Sequence, residues 1–226
     1  MNLLYYWEGP HIPVISAGVL AAGRAFKLAP VNIAKLYDVA SVSLKRVRDK
    51  ADYFRVKALY DYGGIYMDAD TLFLKDCSPL LRTLQSKGNF FYGSFSVIQN
   101  GVMGSTKGSP FFKALLEEYD SALSNFDELR REGYLNFVIF RRQIKGNARK
   151  FVYPENLFHG INGLNFFKEL DDSKYDLLKS NRFATTYYLS SLPEKWKEAQ
   201  VSDIPEGSFV RRALAEFSVN SGMEEL

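Results

Sequence analysis

Two carboxylates one residue apart, Asp68 and Asp70, stand directly after a short β-prone run, Ile65-Tyr66-Met67. In an extended segment residues i and i+2 point the same way, so the pair can face one ligand together. Carboxylate oxygens are hard donors that suit Mn²⁺ or Mg²⁺, and a diphosphate supplies further oxygens of the same kind. An Asp-x-Asp is also a common solvated turn, so its surroundings decide. Upstream, Asp52 and Arg55 lie three apart on one face of a helical stretch. They can form a local ion pair at a helix start. They can equally grip a polyol, the carboxylate accepting and the guanidinium donating. Gly63-Gly64 stops that helix at least steric cost; it can be a simple helix stop, or a turn that also carries the acidic pair back beside Asp52 and Arg55.

The elements that must hold these residues follow from periodicity. Leu3 to Trp7 reads as a buried strand halted by Glu8-Gly9-Pro10, and Pro13 to Phe26 as a helix. Val31 to Tyr37 is β-prone. Asp49 to Tyr62 is expected to be helical, with Asp49 as its N-cap, and Ile65 to Met67 and Thr71 to Leu74 to be strands. Asn89 to Gln99 reads as one or two strands. Ser109-Pro110 starts a helix carrying Phe112, Leu115, Leu116, Tyr119 and Leu123 at helical spacing. Phe183 to Ser190 alternates like a strand, and Glu206 to Phe217 reads as a terminal helix. Strand, helix and strand within the first forty residues begin an α/β sheet with parallel strands. The expectation is one domain over 1–226 with a mixed sheet, which an abrupt start and a weak tail allow to be one domain of a longer protein.

Composition narrows the function classes. Of 226 residues, 46% are hydrophobic and 24% charged, which excludes a disordered chain. The net charge of +3 is too mild to argue for nucleic acid and suits an anionic small ligand. A single cysteine, Cys77, allows no internal disulfide, and no stretch resembles a signal peptide or a membrane span. These features together predict a cytoplasmic protein. Only two histidines, His11 and His159, are present, so any metal must be held mostly by oxygen.

The string Ala51 to Asp76, ADYFRVKALYDYGGIYMDADTLFLKD, resembles the core motif of the DXD-type sugar-binding glycosyltransferases. That group includes yeast-type initiating mannosyltransferases, bacterial capsule enzymes and, more distantly, the glucosylating clostridial toxins. Its pattern is S/A-D, two residues, R, a helix, then G-G-x-Y-x-D-x-D, and every position is filled here. The resemblance implies a GT-A fold, a twisted mixed α/β sheet flanked by helices, and transfer of a sugar from a UDP-sugar to a glycan or protein-glycan hydroxyl. It implies Mn²⁺ or Mg²⁺ held by Asp70, with Asp68 supporting it or taking ribose and sugar hydroxyls. Asp68 and Asp70 thereby carry the catalytic role, and Asp52, Arg55, Asp68 and Asn100 form the donor-sugar site. Asn100 lies in Gln99 to Ser105, which is similar to the family's N-x-x-M-x-S segment. The opening Tyr5-Tyr6-Trp7-Glu8-Gly9-Pro10 is similar to the family's aromatic I-W-x-G turn, which implies nucleotide contacts from Trp7 and Tyr6. The same opening resembles the large-virus enzymes that glycosylate chlorovirus capsid protein, which implies a viral glycan acceptor.

One departure stands out. The family often closes its site with a histidine-rich strand and Gly-Ser-Trp. Here the corresponding region is Thr185 to Ser191, with Trp196 later and no histidine. The third protein ligand of the metal is therefore open among Ser190, Ser191, His159, or water and diphosphate. Two other functions fit parts of the chain. A metal-dependent phosphoryl or nucleotidyl transferase also pairs carboxylates, but no G-x-x-x-x-G-K-[ST] loop occurs. A non-catalytic carbohydrate- or RNA-binding module would draw on the basic stretch Arg141 to Lys150.

Overall fold

The computed structural model describes residues 1–9, 13–73, 75–93, 98–123, 152–154, 158–160, 184–186, 201–203 and 211. Its chain divides into two compact units, one built from Met1–Glu8, Ala29–Asp68 and Pro79–Glu155, the other from Gly9–Leu28, Ala69–Ser78 and Asn156–Leu226.

The first unit is a six-stranded mixed sheet backed by helices. Its strands are β1 (Leu3–Tyr5), β2 (Pro30–Asn32), β3 (Gly64–Met67), β5 (Asn89–Gly93), β6 (Ile98–Ser105) and β7 (Val152–Pro154), in the order β2-β1-β3-β6-β5-β7. β1 runs parallel to both β2 and β3, with Leu4 opposite Tyr66, whereas β6 is antiparallel to β3 and β5. Helices α2 (Val47–Tyr62), α3 (Ser78–Lys87) and α4 (Pro110–Leu123) complete it. Its core joins Leu4 and Tyr66 of the sheet to Phe54, Val56 and Leu59 of α2 and to Phe112, Leu115 and Tyr119 of α4, all buried. Such apolar burial, about 25 cal/mol per Å², is the main force fixing α2 to the sheet.

In the second unit, α1 (Pro13–Phe26) accompanies a three-stranded sheet of β4 (Thr71–Phe73), β9 (Ala184–Thr186) and β8 (Phe158–Gly160). Phe26 meets Phe73 edge-on at 4.8 Å between ring centroids.

Several expectations are revised. The β-prone run at Val31 to Tyr37 is a strand only to Asn32, because the Asn32 side chain accepts from the Ala34 N–H and starts a 3-10 turn over Ile33–Lys35. Helix α2 begins two residues earlier than predicted, with Arg46 at the N-cap. Asp49 lies inside the first turn, where Arg46 grips both its carboxylate oxygens at 2.6 and 2.7 Å. Helix α3 has no counterpart in the periodicity reading, and Asn100 to Ser105 lies within β6. The expected Glu206 to Phe217 helix and the basic stretch Arg141 to Lys150 lie outside the described residues.

The turn from α2 into β3 is built by glycine. Gly63 has φ +65° and Gly64 φ +115°. A Cβ on Gly63 would run into the Lys107 backbone, and one on Gly64 into the Asn2 carbonyl. The close approach lets the Ile65 N–H donate to that carbonyl at 2.8 Å, while the Asn2 side chain donates to the last carbonyls of the helix, of Tyr62 and Gly63.

The first unit also buries phenols in depth. Burial pushes Tyr66 and Tyr119 well above their ordinary value of 10.0. These groups stay protonated in the folded chain while the unfolded chain ionises above pH 10. Their contribution is therefore intact below pH 10 and lost as pH rises beyond it, at up to about 1.4 kcal/mol per pH unit for each phenol. Urea unfolding at pH 8, 10 and 11 should show stability flat to pH 10 and falling after it. A curve level to pH 11 would contradict this burial.

Candidate functional site

Strands β1 and β3 are parallel neighbours, so their carboxyl ends open on one edge of the sheet. Asp68 leaves β3 there, and Tyr6 and Trp7 leave β1 there. The Asp68 N–H donates to the Gly101 carbonyl at 2.7 Å, which ties the exit of β3 to β6. Asn100, one residue before Gly101, is brought to the same place by β6.

Arg55 of α2 organises the cluster. Its Nη2 lies 3.0 Å from Asp52 Oδ1 and 3.2 Å from Asp68 Oδ1. Nη1 donates to the Asn100 carbonyl at 2.8 Å and Nε to the Ala51 carbonyl at 3.1 Å. The guanidinium also sits 4.7 Å from the centre of the Tyr66 ring. Asn100 Nδ2 reaches Asp52 Oδ1 at 3.4 Å, and the Tyr66 hydroxyl donates to Asp68 Oδ1 at 3.1 Å. Arg55 is 4% exposed and Asp52 7%, whereas the Asp68 side chain is 30% exposed. The buried end of the cluster is thus fixed and its outer carboxylate can meet a ligand.

The electrostatics match the geometry. Burial alone would lower the Arg55 pKa, but Asp68, Tyr66 and Asp52 together hold it above its ordinary value. Arg55 therefore remains a cation throughout the working pH range. Two carboxylates so close would repel in a desolvated setting, and the shared guanidinium removes that conflict.

The residues singled out by sequence divide clearly. Asp52, Arg55, Asp68 and Asn100 are joined directly. Trp7 follows β1 at the same sheet edge, its backbone held at both polar groups by Asn32. The Trp7 N–H donates to Asn32 Oδ1 at 3.2 Å, and Asn32 Nδ2 donates to the Trp7 carbonyl at 2.9 Å. Tyr6 turns inward instead. It is 4% exposed, its ring is stacked on Phe54, and its hydroxyl donates to Glu8, which Lys50 of α2 also meets at 3.2 Å. Asp70 belongs to the second compact unit, in its stretch Ala69–Ser78. Of the third-ligand candidates, Ser190 and Ser191 lie outside the described residues, as does the side chain of His159.

Tyr66, which meets both Arg55 and Asp68, was not singled out as part of the site. Tyr66 carries a signal in its motif, the aromatic two before Asp68.

Among the described residues no three His, Cys, Asp or Glu side chains gather into a metal-binding group. The acidic pair of the motif supplies two hard oxygen donors, which suits a divalent cation that takes its remaining oxygens from a diphosphate. No helix among the described residues is long and apolar enough to cross a membrane.

Comparison with known proteins bears on the segment that holds this cluster and on the fold. Residues 24–87 match the family described as the glycosyltransferase sugar-binding region containing the DXD motif, and this segment holds Asp52, Arg55, Asp68 and Asp70. That match spans 64 of the 226 residues and includes the Asp68-Ala69-Asp70 motif. An uncharacterized protein of Arabidopsis thaliana is 28% identical over 120 residues, which are 50% of this chain and 18% of that protein. The apo-form glycosyltransferase GlyE of Streptococcus pneumoniae is 10% identical, with a TM-score of 0.50 over 96% of this chain and 60% of its own. The galactosyltransferase LgtC, in complex with donor and acceptor sugar analogs, is 13% identical, with a TM-score of 0.47 over 97% of this chain and 96% of its own. The likeness to GlyE shows the fold, GT-A. The chain spans 18% of the plant relative's length and 60% of GlyE.

Removing Arg55 should expose how much the cluster depends on it. Arg55→Met leaves two acidic groups without their shared cation, one of them buried, and breaking such a buried pair costs about 3–5 kcal/mol. Asp52→Asn combined with Arg55→Met should recover much of that loss. Urea unfolding of both variants is the measurement. A loss under about 1 kcal/mol for Arg55→Met would show that the ion pairs carry little of the fold.

Proposed function

We propose that this chain transfers a hexosyl group from a UDP-sugar to a glycan or glycoprotein hydroxyl in a divalent-metal-dependent reaction. The observation that carries this reading is the shared guanidinium of Arg55 between Asp52 and Asp68, inside the segment that matches the sugar-binding family. A rigid array of one cation, two carboxylates and the Asn100 amide presents donors and acceptors to sugar hydroxyls in fixed directions. Asp52, Asp68 and Asn100 bind the donor sugar in this reading. Arg55 orients the carboxylates and offers the sugar the remainder of its donor capacity. Trp7, at the exit of β1, lies against the uracil, and Tyr6 supports that turn from the core. The narrowest acceptor suggested by the sequence is a viral capsid glycan, with the reaction in the host cytoplasm.

Asp70 and Asp68 would hold Mn²⁺ or Mg²⁺ in this reading. When bound, such a cation supplies neutralisation of the negative charge that grows on the leaving diphosphate. The protein's own part is to seat the sugar against the Arg55 cluster and to leave the Asp68 carboxylate accessible.

Release of UDP from UDP-hexoses, with and without Mn²⁺, tests the proposal. Wild type should release UDP, lose activity in excess chelator and regain it with Mn²⁺. Asp70→Asn should reduce the rate by roughly 100-fold or more, the scale of losing one strong electrostatic stabiliser. Its melting temperature without ligand should be unchanged or higher. Full turnover in chelator would end the metal-dependent reading, and no UDP release from any UDP-hexose would end the transferase reading.

A second measurement addresses the base. Trp7→Ala should weaken UDP binding by about 1–3 kcal/mol, the range for stacking an aromatic side chain on a base. Unchanged UDP affinity by calorimetry would place Trp7 outside the nucleotide site.

A further inference from the structure

Three consecutive residues leaving β1 are each tied to another element. Tyr6 stacks its ring on Phe54 of α2, with 6.0 Å between centroids. Trp7 has both of its backbone polar groups held by the Asn32 side chain at the end of β2. Glu8 accepts from the Tyr6 hydroxyl on Oε1 and meets Lys50 of α2 on Oε2 at 3.2 Å. The Glu8 and Lys50 side chains are 23% and 15% exposed, so most of each is shielded from water. A segment leaving a strand is ordinarily among the looser parts of a domain, and this one is fastened on each residue.

The charge of Glu8 is the informative point. In the reading proposed above, the Trp7 ring meets the base of UDP, and UDP is an anion. A carboxylate on the residue next to that ring repels such a ligand, so on charge alone an amide there would serve better. The fold has little need of the charge either, since an ion pair that water still reaches contributes little to stability. What the carboxylate supplies is two acceptor oxygens, one for Tyr6 and one for Lys50, and an amide has only one. Lys50 precedes Asp52 by two residues and Arg55 by five on the same helix. The pair therefore joins the turn that carries Trp7 to the helix that carries the Arg55 cluster. A side chain fixed in advance spares the ordering cost of binding.

We infer that Glu8 and Lys50 are positioning residues of the nucleotide site, their ion pair holding the turn after β1 to α2 so that Trp7 is set for the base before the ligand arrives. This rests on the reading of Trp7 as the base contact. The pair acts through Trp7 and not by touching the nucleotide.

The experiment compares wild type, Glu8→Gln, Lys50→Met, Trp7→Ala and the double variant Glu8→Gln with Trp7→Ala, all in the full chain. It measures the Kd for UDP by calorimetry with Mn²⁺, and the melting temperature without ligand. UDP affinity should fall about fivefold or more in Glu8→Gln, although a negative charge has been removed, and to a similar degree in Lys50→Met. The double variant should bind UDP within about threefold of Trp7→Ala alone, because nothing is left for the pair to position. The melting temperature of Glu8→Gln should stay within about 4 °C of wild type. Equal or tighter UDP binding by Glu8→Gln overturns the inference, and with a weakened Lys50→Met it would make Lys50 a direct partner of the phosphates. Losses that simply multiply in the double variant, or a larger fall in melting temperature, overturn it as well. If wild type binds no UDP, or Trp7→Ala binds it as wild type does, the base-contact reading fails and this inference falls with it. If Trp7→Ala is weakened and Glu8→Gln is not, only the role of the pair is lost.

Discussion

The Arg55 guanidinium is the interaction on which the rest of the first unit turns. It is buried, and one nitrogen serves two carboxylates while the others bond backbone carbonyls of its own helix and of β6. A cation at that depth is tolerable only because acceptors surround it, and the acceptors are tolerable only because of the cation. Helix, strand exit and neighbouring strand therefore have one mutually consistent placement. The core apolar residues supply most of the driving force, but they are indifferent to small sliding motions, and the directional bonds of the guanidinium are not.

Much of this arrangement is legible in the sequence because its spacing is local. Asp52 and Arg55 are one helical turn apart, and the glycine pair that returns the chain to Asp68 follows within a dozen residues. Periodicity likewise located α1, β1, β3 and α4 closely, since each has one buried face or is buried throughout. The misses have physical causes. Asn32 ends β2 early because a side-chain acceptor captured the backbone two residues on, which no hydropathy pattern records. Asp49 looked like a cap by residue type, yet it lies within the first turn and is held there by Arg46 at the N-cap. Helix α3 has only Leu80 and Leu84 buried, too sparse a stripe to read.

The site was legible in outline and not in detail. Its motif named the carboxylates, the arginine and, through Tyr66, an aromatic partner. It did not reveal that Tyr6 would stack in the core on Phe54 while its neighbour Trp7 stayed partly exposed. Alternation along a strand predicts opposite faces for adjacent residues, but not which face is lined by α2.

The glycine pair at the end of α2 bears on how variation in this chain will read. Positions 63 and 64 reject a side chain because the backbones of Lys107 and Asn2 already occupy the space. A library of variants screened only for expression would purge changes there as firmly as a screen for activity. Asp68 sits a few residues on and is partly open to solvent, so its changes should survive the first screen. Comparing the two screens position by position would separate the residues retained for shape from those retained for chemistry.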